Sequence, residues 1–217
     1  EAKKAAREVV FPAPRSPARQ ASRDAVRAEQ GKGLEDFATW CALADHYGDR
    51  DWPPGASDPN GPTVAALREQ LADRVEFYCW LQWVADEQLR VAQRTAREAG
   101  MSVGIMHDLA VGVHPEGADV WSHRGVLATG VSVGAPPDMY NQQGQNWSQP
   151  PWHPRALARA GYAPYRDMLR TVLRHAGAIR IDHVIGLFRL WWIPGGARAD
   201  AGAFVRYAHE ALVGIQW

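Results

Sequence analysis

Arg180 and Asp182 are the side chains whose type and spacing best suit catalysis. They belong to a short apolar run, Ala178–Asp182, which predicts a buried strand. Alternate residues of a strand share one face, so Arg180 and Asp182 point the same way, opposite to Ile179 and Ile181. A neighbouring arginine keeps a carboxylate ionised. Such a carboxylate could attack the anomeric carbon of a sugar, and the same pattern also fits a buried ion pair that only orders the strand.

A second carboxylate, Asp108, follows another apolar run. The run Met101–Val111 is too short for a helix of its own and predicts a buried strand, with His107 and Asp108 near its C-terminal end. Asp108 could bind a sugar or an arginine, or it could cap the turn that follows. His107, and likewise His209 beside Glu210, lack the spacing of metal ligands, so we expect no metal site.

The segment between these strands carries amides flanked by tryptophan and proline. Its polar runs are Gly134–Asp138 and Gln143–Trp152. Amides offer paired donors and acceptors to sugar hydroxyls, and indole rings offer flat faces for stacking. The alternative is a flexible Gln/Asn-rich loop, although the prolines and tryptophans count against it. The ten tryptophans of the chain fit either a carbohydrate site or an aromatic-rich core.

The elements that position these residues are predicted to form a strand–helix–strand unit. A helix over Pro164–Ala176, ended by Gly177, connects the two predicted strands, and strands joined in this way are parallel. A long loop, Gly112–Ala163, precedes the helix, and loops of this length are usually functional. In a (β/α) barrel the loops after the strands build the active site. The long loop, Asp108 and Asp182 are therefore expected on one face.

The first hundred residues have a helical character. A helix is predicted over Leu34–Tyr47, and turn-forming residues fill positions 48–63. Thr63 is the expected N-cap of one long helix that ends at Gly100. We therefore divide the chain into a mainly helical segment, 1–100, and an α/β segment, 101–217. The last stretch, Phe204–Trp217, again has helical spacing.

Composition excludes several functional classes. The 24 basic and 24 acidic residues balance, so nucleic acid and anionic membranes are not expected partners. No apolar run approaches the roughly 20 residues that span a bilayer. Two cysteines, Cys41 and Cys79, are too few for a disulfide framework, which favours the cytoplasm. The chain starts with Glu1 and its predicted last helix has no cap, so we expect a piece of a longer protein.

The segments together resemble the amylomaltases, the 4-α-glucanotransferases of the α-amylase-like glycoside hydrolase clan. The resemblance covers roughly residues 34–213. Its motifs, in chain order, are FYCWLQW at 77–83, HDLAVGV at 107–113, GAPPD at 134–138, GQNW at 144–147, RIDH at 180–183 and LWWIP at 190–194. The resemblance implies an α/β fold: a partial (β/α)8 (TIM) barrel with a helical insertion and a long active-site loop. It also implies transfer of α-1,4-glucan segments between maltodextrins by a retaining double displacement, with no metal or organic cofactor.

Carried over by position, the resemblance implies that Asp182 is the nucleophile and Arg180 its partner. It implies substrate-binding roles for a further set of residues: Asp108, Asp138, Gln145, Asn146, Trp147 and His183. The family's general acid/base, a Glu in a Glu-Asp-Leu-Gly segment, and a later His-Asp pair do not occur in this sequence. We therefore expect the chain alone to have little or no activity. Two alternatives stay open, an α-glucan hydrolase of the same clan and a non-catalytic glucan-binding protein.

Overall fold

The computed structural model describes residues 2–48 and 51–215. The chain divides into two compact units, Glu1–Val91 and Ala92–Trp217. The boundary lies inside a long helix, Ala72–Glu98, and so precedes the change of character predicted at residue 101. Among the described residues, no helix combines the length and the apolarity needed to cross a bilayer.

The regular structure described in the first unit is helical. Its elements are α1 (Ala2–Val10), α2 (Pro17–Tyr47), α3 (Pro62–Gln70) and α4 (Ala72–Glu98), the last of which continues into the second unit. The helix predicted over Leu34–Tyr47 is confirmed as part of α2. That helix begins earlier because Ser16 caps its N-terminus and Pro17 fits its first turn, and it bends at Gly31 (φ 51°).

Two helices replace the single helix predicted from Thr63 to Gly100, and that prediction is wrong. The backbone leaves helical geometry at Leu71 (φ −102°, ψ 23°), between α3 and α4. Leu71 keeps a buried side chain, so the apolar spacing runs on through the break and hides it. Gly61 rather than Thr63 is the N-cap, because Pro62 begins α3, where its missing N–H costs no hydrogen bond. Gly100 follows α4 with φ 90°, as predicted for a helix-ending glycine.

An aromatic core fills the first unit. Phe77, Trp80 and Trp83 of α4 are at most 5% exposed and pack with Val26. The ring of Phe11 meets that of Phe77 edge-on, with centroids 5.4 Å apart. These tryptophans therefore follow the aromatic-core interpretation and not the carbohydrate one.

The second unit combines helices with two sheets, which confirms a mixed α/β composition. Its elements are β1 (Met106–Leu109), α5 (Ala118–Ser122), β2 (Val131–Ala135), β3 (Gln145–Gln149), α6 (Pro154–Arg159), α7 (Ala163–Leu173), β4 (Ala178–Ile181), β5 (Arg189–Pro194), β6 (Ala203–Arg206) and α8 (His209–Gly214). Two single 3-10 turns lie at Val184–Leu187 and Ala199–Ala201. The helix predicted over Pro164–Ala176 is found as α7, three residues shorter at its C-terminus.

The parallel pair β1–β4, connected through α7, confirms the predicted strand–helix–strand unit. β1 is shorter than the predicted Met101–Val111, because the residues before it bond to α4. The Gln93 side chain accepts the N–H of Ile105 at 2.6 Å and donates to the carbonyl of Val103 at 3.2 Å. At Gly177 a Cβ would lie 1.8 Å from that carbonyl oxygen, so only glycine fits before β4. A closed (β/α)8 barrel stays a prediction.

The long loop predicted over Gly112–Ala163 instead contains regular structure, and that prediction is wrong. It holds α5, α6 and two strands of an antiparallel sheet ordered β3-β2-β5-β6. Each of these two strands has five residues, and β3 reads Gln-Asn-Trp-Ser-Gln, so no apolar alternation marks it. β2 pairs with β5, which lies far along the chain. Local patterns do not reveal such a contact.

The helix predicted over Phe204–Trp217 is wrong for its first part. Ala203–Arg206 pairs with β5 as strand β6, and the helix α8 is limited to His209–Gly214. Cross-strand packing overrides the helical spacing, since the ring of Phe204 meets that of Trp191 edge-on with centroids 5.0 Å apart. Gln216 and Trp217 lie outside the described residues.

One apolar core supports both sheets of the second unit. Its buried members are Val133, Leu157, Tyr165, Leu169, Leu187, Leu190, Tyr207 and Leu212.

We expect Leu157→Ala to lower the free energy of unfolding by roughly 2–5 kcal/mol, because truncation leaves a cavity. Leu157 is 1% exposed, whereas Leu173 is 36% exposed, so Leu173→Ala is the matched control and should cost much less. Urea unfolding measures both changes, and equal losses would contradict this assignment of the core.

Candidate active site

Arg180 connects two carboxylates on one face of the β1–β4 pair. One of its Nη atoms donates to Oδ2 of Asp108 at 2.5 Å, and the other donates to Oδ1 of Asp182 at 3.1 Å. Asp108 is the register partner of Arg180, and Asp182 follows two residues later in the chain, directly after β4. Alternate residues of a strand share one face, and register partners lie side by side on that face, so all three side chains come together. Asp108 lies within β1 and accepts from Arg180, so it does not act as the cap of a turn.

The three charged groups are accessible. Side-chain exposure is 59% for Asp108, 53% for Arg180 and 48% for Asp182. Ile179 and Ile181 pack on the opposite side, against the core of the unit, as the strand pattern predicts. The hydrogen bond and charge of Asp108, followed by the charge of Asp182, raise the pKa of Arg180. The guanidinium is therefore a permanent positive charge beside Asp182.

A groove opens at the C-terminal end of β4. It has a volume of about 700 Å³ and is lined by Ala110, Val111, Trp147, Gln149, Asp182 and His183. The strand ends after Asp182, where His183 adopts the left-handed conformation (φ 49°, ψ 54°) and a 3-10 turn follows. The indole of Trp147 meets the imidazole of His183 edge-on, with centroids 5.0 Å apart. Trp147 and His183, two of the predicted substrate-binding residues, thus form one wall beside Asp182.

The predicted amide residues are used by the protein itself. Oε1 of Gln145 accepts the indole N–H of Trp147 at 3.0 Å. Oδ1 of Asn146 accepts the hydroxyl of Ser132 and the backbone N–H of Ser148, both at 2.8 Å. Both amides belong to β3, the strand of Trp147, and neither is among the residues that line the groove.

Asp138 is not brought to the groove. Its Oδ1 accepts the backbone N–H groups of Tyr140 and Asn141, at 2.8 Å and 2.6 Å. These bonds close the turn between β2 and β3, and the exposed side chains of Met139 and Tyr140 lie at its tip. The described contacts give Asp138 a turn-forming role, and its predicted contact with substrate stays a prediction.

Gln149 is a groove residue that the prediction of individual site residues missed. It is the last amide of the run Gln143–Trp152. Its place in that run was the sequence signal that could have identified it. Its Oε1 is buried against Gly112, where a Cβ would lie 3.0 Å from that oxygen, and it has no hydrogen-bond partner among the described residues. A buried acceptor that the protein leaves unpaired is usually bonded to a water molecule or to a ligand donor.

Comparison with known proteins decides the family of the chain. The family described as Glyco_hydro_77, 4-alpha-glucanotransferase, matches residues 1–216. The chain belongs to this family. Curated 4-alpha-glucanotransferases of Mycobacterium bovis and Haemophilus influenzae are 56% identical over 216 residues and 45% identical over 150 residues. These alignments cover 99% and 69% of this chain, but 30% and 22% of the relatives, so the chain spans less than a third of their length.

Solved structures agree with this Glyco_hydro_77 assignment. The crystal structure of amylomaltase from Corynebacterium glutamicum matches with a TM-score of 0.85 and 51% identity, covering 99% of this chain and 29% of that one. Amylomaltase from Streptococcus agalactiae, solved in complex with acarbose, matches with a TM-score of 0.80 and 20% identity, over 93% and 42% of the two chains. The second likeness shows the fold alone. The predicted resemblance to the amylomaltases is thus confirmed.

No group of three or more His, Cys, Asp or Glu that could hold a metal ion occurs within residues 2–48 and 51–215 of this Glyco_hydro_77 chain. His107, beside Asp108 in the sequence, points the other way: its Nδ1 bonds to the carbonyl of Val172 in α7 at 2.6 Å. It therefore fixes the helix against the strand.

The imidazole of His183 is expected to be neutral at pH 7. Burial lowers its pKa below the ordinary 6.5, and the charge of Asp182 opposes this effect. The unfolded chain binds the proton more readily, so this group favours the folded state above pH 6.5. That contribution is lost as the pH falls through the folded pKa. We expect Trp147→Ala to expose the imidazole of His183 to solvent and so to raise the pKa of His183.

Proton NMR of the imidazole across the range of pH below neutrality measures this pKa in wild type and variant. Gln143→Ala, an exposed amide in the turn before β3, is the control and should leave the midpoint unchanged. An unchanged midpoint in Trp147→Ala would contradict the role of the indole as the cover of His183.

Proposed function

We propose that the complete polypeptide carrying this sequence is a 4-α-glucanotransferase. It transfers segments of α-1,4-glucans between maltodextrins, with no metal or organic cofactor and with neither nucleic acid nor a membrane as partner. Membership of the Glyco_hydro_77 family supports the reaction class. The 51% identity to the amylomaltase of Corynebacterium glutamicum is in keeping with it.

The observation that carries the proposal is the contact of Arg180 with both Asp108 and Asp182 beside the groove. An adjacent fixed positive charge keeps a carboxylate ionised, which a nucleophile requires. The position also fits, since enzymes built on parallel strands and helices bind their ligands outside the C-terminal ends of the strands.

Trp147 and Gln149 offer the contacts that a sugar ring needs. The partly buried indole gives a flat apolar surface to the C–H face of a ring, and the amide N–H groups of Gln149 can donate to sugar hydroxyls. Both line the groove that contains Asp182. The groove thus combines one reacting carboxylate with one stacking and one hydrogen-bonding contact.

Double displacement divides the transfer into two steps. A carboxylate oxygen of Asp182 attacks the anomeric carbon, the bond to the leaving 4-oxygen breaks, and that oxygen takes a proton from a general acid. The 4-hydroxyl of an acceptor glucan then attacks the same carbon and gives its proton to the conjugate base of that acid. Asp182 is released, and the configuration at the anomeric carbon is retained.

Product analysis with maltotriose tests the proposal in the complete polypeptide. A transferase yields longer maltodextrins together with glucose or maltose, and the reducing-end concentration stays constant. A hydrolase raises the reducing-end concentration. A non-catalytic glucan-binding protein changes neither the lengths of the maltodextrins nor the reducing-end concentration. Either of the last two results would overturn the proposal.

We expect the 217-residue chain by itself to show little or no transfer. Asp182 is the single carboxylate among the described residues that line the groove, and a retaining reaction needs a second carboxyl group about 5–5.5 Å from the first. Asp108 is bound to Arg180 at 2.5 Å, so we assign the general acid to another part of the complete polypeptide. Maltodextrin disproportionation by the purified, folded chain would contradict this assignment.

We further propose a (β/α)8 barrel and a cytoplasmic location for the complete polypeptide. The parallel β1–β4 pair with its connecting α7 is the unit that such a barrel repeats. Cys41 and Cys79 are free thiols, and burial raises the pKa of each to about 12, so both stay protonated and unreactive. Free thiols are in keeping with a reducing compartment.

A further inference from the structure

Strand β3 contains a bulge at the edge of the groove. The pairing of β2 with β3 shifts between Val133 and Gly134, and this leaves Trp147 and Ser148 of β3 without partners in the ladder. Ser148 has φ 58°, in the left-handed region that residues other than glycine rarely adopt. Bulges re-aim side chains and are frequent beside active sites. Here the re-aimed side chain is Trp147, which contacts His183.

One side-chain oxygen holds the bulge in place. Oδ1 of Asn146 accepts the backbone N–H of Ser148 at 2.8 Å and the hydroxyl of Ser132, on β2, at 2.8 Å. The left-handed backbone of Ser148 costs free energy, and these two hydrogen bonds offset that cost. Because two donors converge on one atom, the amide is fixed in this orientation.

We propose that Asn146 is a positioning residue and not a sugar ligand, and that Ser132 assists it. By fixing the bulge, Asn146 holds the Trp147 indole edge-on against His183, the residue next to Asp182. The wall of the groove is then set before substrate arrives. The link to catalysis rests on the proposed function, whereas the link from Asn146 to Trp147 does not.

The test compares Asn146→Asp with Asn146→Leu in the complete polypeptide carrying this sequence. Aspartate keeps an acceptor for both donors, and leucine has a similar size without one. We expect Asn146→Leu to remove the ring-current shift of the His183 imidazole protons and to lower kcat/KM about tenfold, mainly through kcat. Asn146→Asp should keep both the ring-current shift and the wild-type kcat/KM. Ser132→Ala should give a smaller loss of the same kind, and Gln143→Ala none.

Three outcomes separate the possibilities. An unchanged imidazole shift in Asn146→Leu would overturn the proposal. So would an equal loss of activity in both Asn146 variants with the shift intact, because the amide donors would then bind substrate. Loss of the shift without loss of transfer would support the positioning of Trp147, and it would count against the proposed function of the groove.

Discussion

Asp182→Asn in the complete polypeptide is expected to lower the rate of glucan transfer by at least about 1,000-fold. The amide has the shape of the carboxylate and can still accept from Arg180, so the groove keeps its geometry. It cannot form the glycosyl ester on which double displacement depends. Initial rates of maltotriose disproportionation measure the effect, and circular dichroism checks that the variant is folded.

Asp200→Asn is the matched control for this change. Asp200 is another partly exposed aspartate paired with an arginine, Arg198, at 3.1 Å, and it does not line the groove. Its loss should leave the rate unchanged. A folded Asp182→Asn variant that kept more than about a tenth of the wild-type rate would be incompatible with a nucleophilic role.

Arg180→Lys is expected to cost about 100-fold in kcat/KM. The guanidinium reaches Asp108 and Asp182 through separate nitrogens, and a single ammonium cannot reproduce that fork. The two carboxylates are then no longer held in place by one side chain, and the position of Asp182 in the groove is less well fixed. Initial rates of maltotriose disproportionation at several substrate concentrations measure kcat/KM.

Arg198→Lys provides the control for the fork geometry. Arg198 donates through two nitrogens to Asp200, at 3.2 Å and 3.1 Å, and this exposed pair lies outside the groove lining. We expect the rate of transfer to stay unchanged. An Arg180→Lys variant with the wild-type kcat/KM would mean that the bridge between Asp108 and Asp182 plays no part in the reaction.

The placement of Arg180, Asp182 and Asp108 on one face was predictable from the alternation within each strand and from the order of the elements. A period of two assigns Arg180 and Asp182 to one face. A helix that connects two neighbouring strands makes them parallel, so the end of β1 that carries Asp108 lies at the same edge as the end of β4 that carries Arg180. The register that sets Asp108 directly opposite Arg180, 72 positions away in the chain, was not predicted.

The wall of the groove was not predictable in the same way. β3 has no apolar alternation, and its sheet depends on β5, about 40 residues further along the chain. The bulge that re-aims Trp147 exists only once β2 and β3 are paired. Asn146, which the sequence assigned to sugar contacts, accepts two protein donors through its Oδ1, and its contact with sugar stays a prediction, whereas Gln149 lines the groove.

Trapping of the glycosyl intermediate is the most direct test of Asp182 as nucleophile. The complete polypeptide is incubated with a ring-fluorinated maltosyl fluoride in the absence of acceptor, quenched with acid, and digested with pepsin for tandem mass spectrometry. Asp182 is the single carboxylate of residues 181–189, so a sugar ester in that stretch is unambiguous. We predict an adduct on Asp182 that disappears when maltose is added as acceptor. An adduct on another carboxylate, or inactivation with Asp182 unmodified, would contradict the account.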